Sequence, residues 1–172
     1  MIQLRCTQKL LKEIGITKSD LNDISQGDST LGNWYVNIFT VDRRKAIVFV
    51  NERTLLSFIV YGINKKNIKE IKETFNRKLI QLLTIEGFNG KEVEHAIKGS
   101  EEIQFTTTNS KTILRNVTDI VNMYKYMIPY EGGLKSCNLT EIISQMNRTP
   151  QRNLNWAYSI DVVKEIITMK TA

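Results

Sequence analysis

The sequence predicts a single α+β domain in which a small, mainly antiparallel sheet of four to five strands packs with four to five helices. Residues 31–58 contain three closely spaced runs of strand-forming residues. Two longer segments, about 65–86 and 110–128, repeat apolar residues with the spacing of amphipathic helices. A regular alternation of strands and helices is absent, so a Rossmann-like parallel sheet is the weaker alternative.

The predicted strands lie mostly in the first third of the chain. Residues 33–41 alternate between two faces, with Trp34 on one face and Asn33 on the other. After a turn at residues 42–45, residues 46–51 are apolar on both faces, which is typical of a strand inside a sheet. The remaining strands are predicted at residues 2–6, about 54–61 and 102–107.

Capping residues mark the helices other than the two long ones. Thr7 is suited to cap a helix over residues 8–14. Asn89 and Asn138 each precede a glutamate by three positions, which is the spacing of a capping box, so a short helix is expected after each. Ser159 is expected to cap the last helix.

Length and composition favour one domain, residues 1–172, in the cytoplasm. Domains cluster at about 100–150 residues, and no linker rich in Ser, Gly or Pro divides this chain. No apolar run approaches the roughly 20 residues that span a bilayer, and the start lacks the unbroken apolar core of a signal peptide, so no membrane partner is expected. Cys6 and Cys137 lack CxxC spacing and are expected to be free thiols.

The formal net charge of +6 favours an anionic partner, either a small molecule or a nucleic acid. The chain has no block of Lys and Arg long enough to form a nucleic-acid-binding tail. The net charge of the protein therefore indicates that the partner is negatively charged, without indicating how large the partner is.

Several chemistries have little support. A Ser-His-Asp or Cys-His catalytic system would depend on His95, the only histidine. A zinc site needs about four Cys and His ligands, and the sequence has three such residues in total. No glycine-rich phosphate-binding motif occurs, so the sequence assigns no cofactor and predicts no metal site. A carboxylate-bound Mg²⁺ remains an open alternative.

The strands carry asparagines, which strands usually lack. Pairing across a turn at residues 42–45 would bring Asn37 close to Asn51. Two such amides offer donors and acceptors to the polar edge of a ligand, or they satisfy the backbone of nearby loops. Both interpretations stay open.

Three further polar groups are candidates for a ligand site. Glu52 and Arg53 follow a strand and offer either an acid–base carboxylate with an anion clamp or a turn-stabilising ion pair. Residues 106–110 precede a helix and offer an anion site or a plain cap. Residues 147–148 offer, together with Trp156, either a site that binds a planar anion or an anchor for a loop. The ligand-binding candidates are Asn33, Trp34, Asn37, Asn51, Glu52, Arg53, Thr108, Asn109, Asn147 and Arg148.

Several motifs resemble those of a widespread bacterial family of uncharacterised proteins that carries only a domain-of-unknown-function label. These motifs are IQLRCT at the start, LGNWYVNIFTVDRR and NERTLLSF in the centre, FTTTNSKTIL, and the late NRTP. The resemblance covers nearly the whole chain. It implies no activity, cofactor or substrate, and its polar positions include Arg5 in addition to all of the candidates above.

The function expected first is an intracellular binding domain that holds a small anionic or nucleotide-like ligand, or nucleic acid, beside the hairpin of residues 33–53. One alternative is a metal-dependent enzyme acting on phosphodiesters or nucleotides, with Glu52 as base or metal ligand and Arg53 or Arg148 stabilising charge. Another is a protein-interaction component of a mobile-element or defence operon.

Overall fold

The computed structural model describes residues 1–62 and 68–169, and its centre is a mixed sheet of five strands. In chain order the strands are β1 (Ile2–Cys6), β2 (Trp34–Val41), β3 (Arg44–Asn51), β4 (Ser57–Tyr61) and β5 (Ile103–Thr107). Their order in the sheet is β4-β3-β2-β1-β5. β1 runs parallel to β2 and β5, whereas β2 with β3 and β3 with β4 are antiparallel. The predicted α+β class is confirmed, with a sheet that is half parallel in its pairings.

Six α-helices surround the sheet in the described part of the chain, one more than the four to five predicted. They are α1 (Gln8–Ile14), α2 (Ile68–Ile85), α3 (Gly90–Ala96), α4 (Lys111–Tyr130), α5 (Leu139–Met146) and α6 (Ser159–Met169). The predicted start of the longest helix, near residue 65, lies outside the described residues. Within the described ranges, no helix combines the length and the apolar character that crossing a membrane requires.

One face of the sheet packs against α1, α2, α3 and α6. Alternation along the strands turns Leu4, Trp34, Phe49 and Phe58 to this side, where all four are buried. The Trp34 ring meets Phe75 of α2 edge-on, with ring centroids 5.2 Å apart. This aromatic cluster fixes α2 against the antiparallel half of the sheet.

The opposite face packs against α4 and α5. Tyr35, Val48 and Ile59 lie on this side with Tyr124 of α4. Burial raises the pKa of the Tyr124 phenol, whose hydroxyl lies 3.0 Å from Ser57 Oγ. With helices on both faces, most residues of the three interior strands are buried, which explains why residues 46–50 of β3 are apolar on both sides.

A two-residue turn joins β2 to β3. Val41 pairs with Arg44, so only Asp42 and Arg43 lie between the strands. Both have positive φ, 50° and 59°, as in a type I′ turn, whose twist matches that of a hairpin.

This turn sets a register that differs from the predicted one. Asn37 pairs with Val48, and Asn51 pairs with Trp34, so the predicted proximity of Asn37 and Asn51 is wrong. The prediction assumed a four-residue turn, and shortening the turn to two residues shifts every cross-strand partner.

The two cysteines are free thiols, as predicted. Cys6 is buried on β1, and Cys137 is half-buried before α5. Burial raises the pKa of both thiols, so neither is activated as a thiolate nucleophile.

The strained turn yields a stability prediction. We expect Arg43→Gly to raise the free energy of unfolding by about 0.5–1 kcal/mol, because glycine adopts positive φ without steric cost. The matched control is Arg44→Gly, one residue on in β3, which we expect to destabilise the protein because glycine weakens a strand. Urea unfolding followed by circular dichroism measures both. Equal effects of the two substitutions would contradict the positive-φ turn.

Candidate functional site

A buried arginine lies at the centre of a polar cluster between the sheet and α4. Arg5 of β1 is 3% exposed. Its Nη1 lies 2.9 Å from Glu52 Oε2 and donates to Asn109 Oδ1 at 2.7 Å, and its Nη2 donates to the Ser25 carbonyl at 3.1 Å. Arg5 Nε is buried and has no hydrogen-bond partner among the described groups. A buried guanidinium with a free donor is unusual, because buried polar groups are generally paired.

Three side chains complete this cluster around Arg5. Tyr35, the cross-strand neighbour of Arg5 on β2, donates its hydroxyl to Asn109 Oδ1 at 2.5 Å. Glu52 follows β3, and its side chain is 12% exposed. Asn109 precedes α4 and is exposed as a residue. Arg5, Tyr35, Glu52 and Asn109 are called the Arg5 cluster below.

The topology of the parallel strands positions this cluster. β1 and β5 are parallel neighbours, and Arg5 lies beside Thr106. After β1 the chain passes to α1 on one face, whereas after β5 it passes to α4 on the other. Adjacent parallel strands whose connections leave to opposite faces open a crevice at their carboxyl ends, which is the usual ligand position in open α/β sheets.

The first turn of α4 adds donors at this crevice. The Ser110 hydroxyl caps the helix by accepting from the Ile113 N–H at 3.3 Å. The N–H groups of Lys111 and Thr112 hydrogen bond to no described residue. An α-helix of this length presents partial positive charge at its start, which favours an anion there.

A loop before β2 closes one side of the cluster, and Asn33 holds it. Asn33 Oδ1 accepts from the Gln3 N–H at 2.9 Å, and Asn33 Nδ2 donates to the Ser25 carbonyl at 3.2 Å. The side-chain amide of Gln3 binds the same loop: its Nε2 donates to the Asp23 carbonyl, and its Oε1 accepts from the Ser25 N–H. Asn33 is fully buried. It supports Arg5 indirectly, because the Ser25 carbonyl that accepts from Asn33 also accepts from Arg5 Nη2.

Asn51 builds the turn that presents Glu52. Its Oδ1 accepts from the N–H groups of Arg53 and Thr54 at 3.1 and 3.0 Å. Its Nδ2 donates to the Leu31 carbonyl at 3.0 Å. Asn51 is fully buried, so its amide is used by the backbone, as asparagine commonly is in loops.

Three other candidates lie apart from the Arg5 cluster. Trp34 is fully buried in the aromatic core on the opposite sheet face. Half-buried Asn37 accepts from the Thr7 hydroxyl at 2.7 Å. Arg53 is exposed, and its Nη1 lies 3.4 Å from the Thr30 carbonyl.

Asn147 and Arg148 lie at the far edge of the sheet. Asn147 Oδ1 accepts from the Ser57 N–H, and its Nδ2 donates to the Ser57 carbonyl, each at 2.8 Å. Arg148 pairs with the buried carboxylate of Glu86, and this hydrogen bond raises the pKa of Arg148. The Asn147 contacts dock the end of α5 on β4, and the Arg148 pair joins it to the end of α2.

The structure thus brings Glu52 and Asn109 together, with half-buried Thr108 adjoining Asn109 in the chain. The spacing of residues in the sequence did not identify two other groups at this site, the Tyr35 hydroxyl and the Ser25 carbonyl. A signal was present, since Arg5 interrupts the apolar strand IQLRC, and a charge in a buried strand needs partners. Among residues 1–62 and 68–169, no group of three or more His, Cys, Asp or Glu residues is placed to hold a metal ion.

A family model described as "Domain of unknown function (DUF6933)" matches residues 3–162. The predicted resemblance to an uncharacterised family is therefore confirmed. No curated protein matches the chain.

The ion pair at the centre of the cluster yields a second prediction. We expect Glu52→Gln to lower the free energy of unfolding by about 3–5 kcal/mol, because it leaves the buried Arg5 charge without its carboxylate. The control is Glu94→Gln at an exposed position of α3, which we expect to change stability by less than about 0.5 kcal/mol. Chemical unfolding measures both. If the two variants were equally stable, Arg5 would not depend on Glu52.

Proposed function

Because the chain belongs to the DUF6933 family, whose description assigns no activity, we propose a function from its own contacts: the domain binds a small anionic ligand at the Arg5 cluster. The observation that carries this proposal is the buried Arg5, whose Nη1 donates to the exposed residue Asn109 and whose Nε donor no described group accepts. The ligand would contribute a carboxylate or a phosphoryl group, the anions that arginine binds best.

Asn109 occupies the position proposed for an oxygen of the ligand. Its Oδ1 accepts from Arg5 and from Tyr35 at once. Asn109 lies at the surface and precedes the helix cap, so its side chain is free to rotate outward without burying a polar group. An anionic oxygen in its place would receive charge-assisted hydrogen bonds and face the start of α4.

Glu52 restricts the kind of anion that fits. Its carboxylate neutralises the guanidinium of Arg5 and would repel a ligand that is only negative. A ligand with a hydroxyl or amino donor beside its anionic group would satisfy both side chains, since a carboxylate accepts hydrogen bonds. We therefore propose a hydroxy acid, an amino acid or a nucleotide-like molecule.

The positive net charge supports an anionic ligand, and the free thiols support a cytoplasmic location. A charge of +6 draws anions to the surface, and free cysteines are typical of the reducing cytoplasm, where we place the protein. Nucleic acid carries the same phosphate chemistry. The small ligand is favoured because the Arg5 cluster contains one arginine whose charge Glu52 already neutralises, whereas nucleic-acid binding depends on several basic side chains that neutralise phosphates.

A thermal-shift screen tests the proposal. We would screen inorganic phosphate, hydroxy acids, amino acids, nucleotides and a single-stranded oligonucleotide. A ligand at about 100 times its Kd adds about 2.7 kcal/mol and visibly raises the Tm. We expect Tyr35→Phe to weaken binding about fivefold to tenfold, because it removes one donor to the ligand. Tyr126→Phe on the exposed side of α4 is the control and should bind as the unmodified protein does.

Asn109→Asp sharpens the test. Its carboxylate would fill the anion position beside Arg5, so we expect the variant to gain stability and to lose ligand binding. The proposal fails if no compound raises the Tm, or if Asn109→Asp binds as well as the unmodified chain. A shift with the oligonucleotide alone that survives Asn109→Asp would instead indicate a nucleic-acid surface elsewhere.

A further inference from the structure

β4 ends the sheet on the side away from the Arg5 cluster, and within residues 1–62 and 68–169 its only neighbouring strand is β3. Across that hairpin the Asn51 N–H donates to the Leu56 carbonyl at 2.8 Å. Backbone groups of successive residues alternate in direction along a strand. The backbone N–H and C=O groups of Phe58 and Val60 therefore face β3, whereas those of residues 57, 59 and 61 face away from the sheet.

The chain itself covers the first of these outward positions. Asn147 bonds both the N–H and the C=O of Ser57 through its amide, as a paired strand would. The next outward positions are Ile59 and Tyr61, and the backbone of neither has a hydrogen bond to a described residue outside the sheet. An uncovered strand edge of this kind is a template for pairing with another chain.

A cavity of about 230 Å³ lies against this open part of β4. Leu82 and Ile85 of α2 line one side, and Leu139 and Ile143 of α5 line the other. Ile85 is 50% exposed, which is unusual for a large apolar side chain beside a cavity. α2 and α5 belong to opposite faces of the sheet, so a strand entering in its plane would contact both helices with alternate side chains.

The charge of the cavity selects the partner. Among the described residues, Lys78 is the only charged one that lines it, and its Nζ lies 3.2 Å from the neutral Gln81 Oε1. Within the described residues, no carboxylate forms an ion pair with Lys78. A partner carboxylate would find an unpaired ammonium here, and the net charge of +6 acts in the same direction.

We propose that this groove binds an extended, acidic segment of a partner protein, which adds a strand to β4. The segment's main chain bonds to Ile59 and Tyr61, its alternate apolar side chains contact α2 and α5, and one carboxylate pairs with Lys78. The cavity is smaller than the about 300–1,000 Å³ of small-molecule pockets, which suits a few side chains of a peptide. This inference does not depend on the ligand proposed for the Arg5 cluster.

The test uses the full chain and synthetic decapeptides as probes. A fluorescein-labelled library has Val, Leu or Phe at alternate positions and either Glu or Lys between them. Fluorescence anisotropy measures Kd. We expect the best Glu-containing peptide to bind at least tenfold more tightly than its Lys-containing counterpart. A version of it methylated at alternate backbone nitrogens should lose binding, because strand addition depends on main-chain hydrogen bonds.

Protein variants and amide exchange locate the contact. We expect Lys78→Glu to weaken the Glu-containing peptide about tenfold, whereas Arg77→Glu, exposed on the same helix and outside the cavity, should weaken it much less. Ile85→Asp should also weaken binding without unfolding, because Ile85 is half exposed. Bound peptide should slow hydrogen exchange at the Ile59 and Tyr61 amides.

Three results would overturn the inference. The first is failure of every decapeptide to bind at millimolar concentration. The second is binding that Lys78→Glu and Ile85→Asp leave unchanged. The third is self-association in sedimentation experiments that Ile85→Asp abolishes, because the groove would then hold a second copy of this chain.

Discussion

The pairing of one buried charge constrains the arrangement of the parallel half of this protein. Arg5 lies in the strand between β2 and β5, and leaving its guanidinium unpaired there would cost several kcal/mol. Its partners come from the loop before β2, the turn after β3 and the start of α4. Three segments far apart in sequence are thereby held around one side chain. The same requirement explains why Asn33 and Asn51 are buried: they fix the segments that carry those partners.

The two ends of the sheet have different chemistry. At the β5 side, polar side chains and a helix start concentrate donors, which suits an anion. At the β4 side, an apolar groove runs along backbone groups of Ile59 and Tyr61 that bond to no described residue outside the sheet, which suits another polypeptide. Asn147, at the β4 side, replaces a missing strand for one residue only. Arg5 and Tyr35 reach the first of these regions from the interior strands β1 and β2, whereas the second region lies at the edge strand itself.

Local patterns predicted most of the fold. Apolar periodicity and caps such as Thr7, Asn89 and Asn138 located the helices, because these signals act within one turn. The turn at Asp42 and Arg43 was predicted too long, since aspartate is suited to positive φ but is followed here by arginine, where glycine would mark a two-residue turn. The Arg5 cluster depends on β1 pairing with β5, a contact between residues about a hundred apart that no local pattern specifies. Sequence therefore identified Glu52 and Asn109 as polar candidates without showing that they meet.

The strand order also bears on how the molecule folds. β2, β3 and β4 follow one another through short connections, whereas β5 reaches β1 only after α2 and α3 have intervened. Contacts between nearby residues form at lower entropic cost than contacts that close long loops. These entropic costs favour the β2–β4 meander as an early nucleus and the docking of β5 as a later event. Asn109, directly after β5, meets Arg5 only when that last strand is in place, so the complete cluster is a mark of the finished native state.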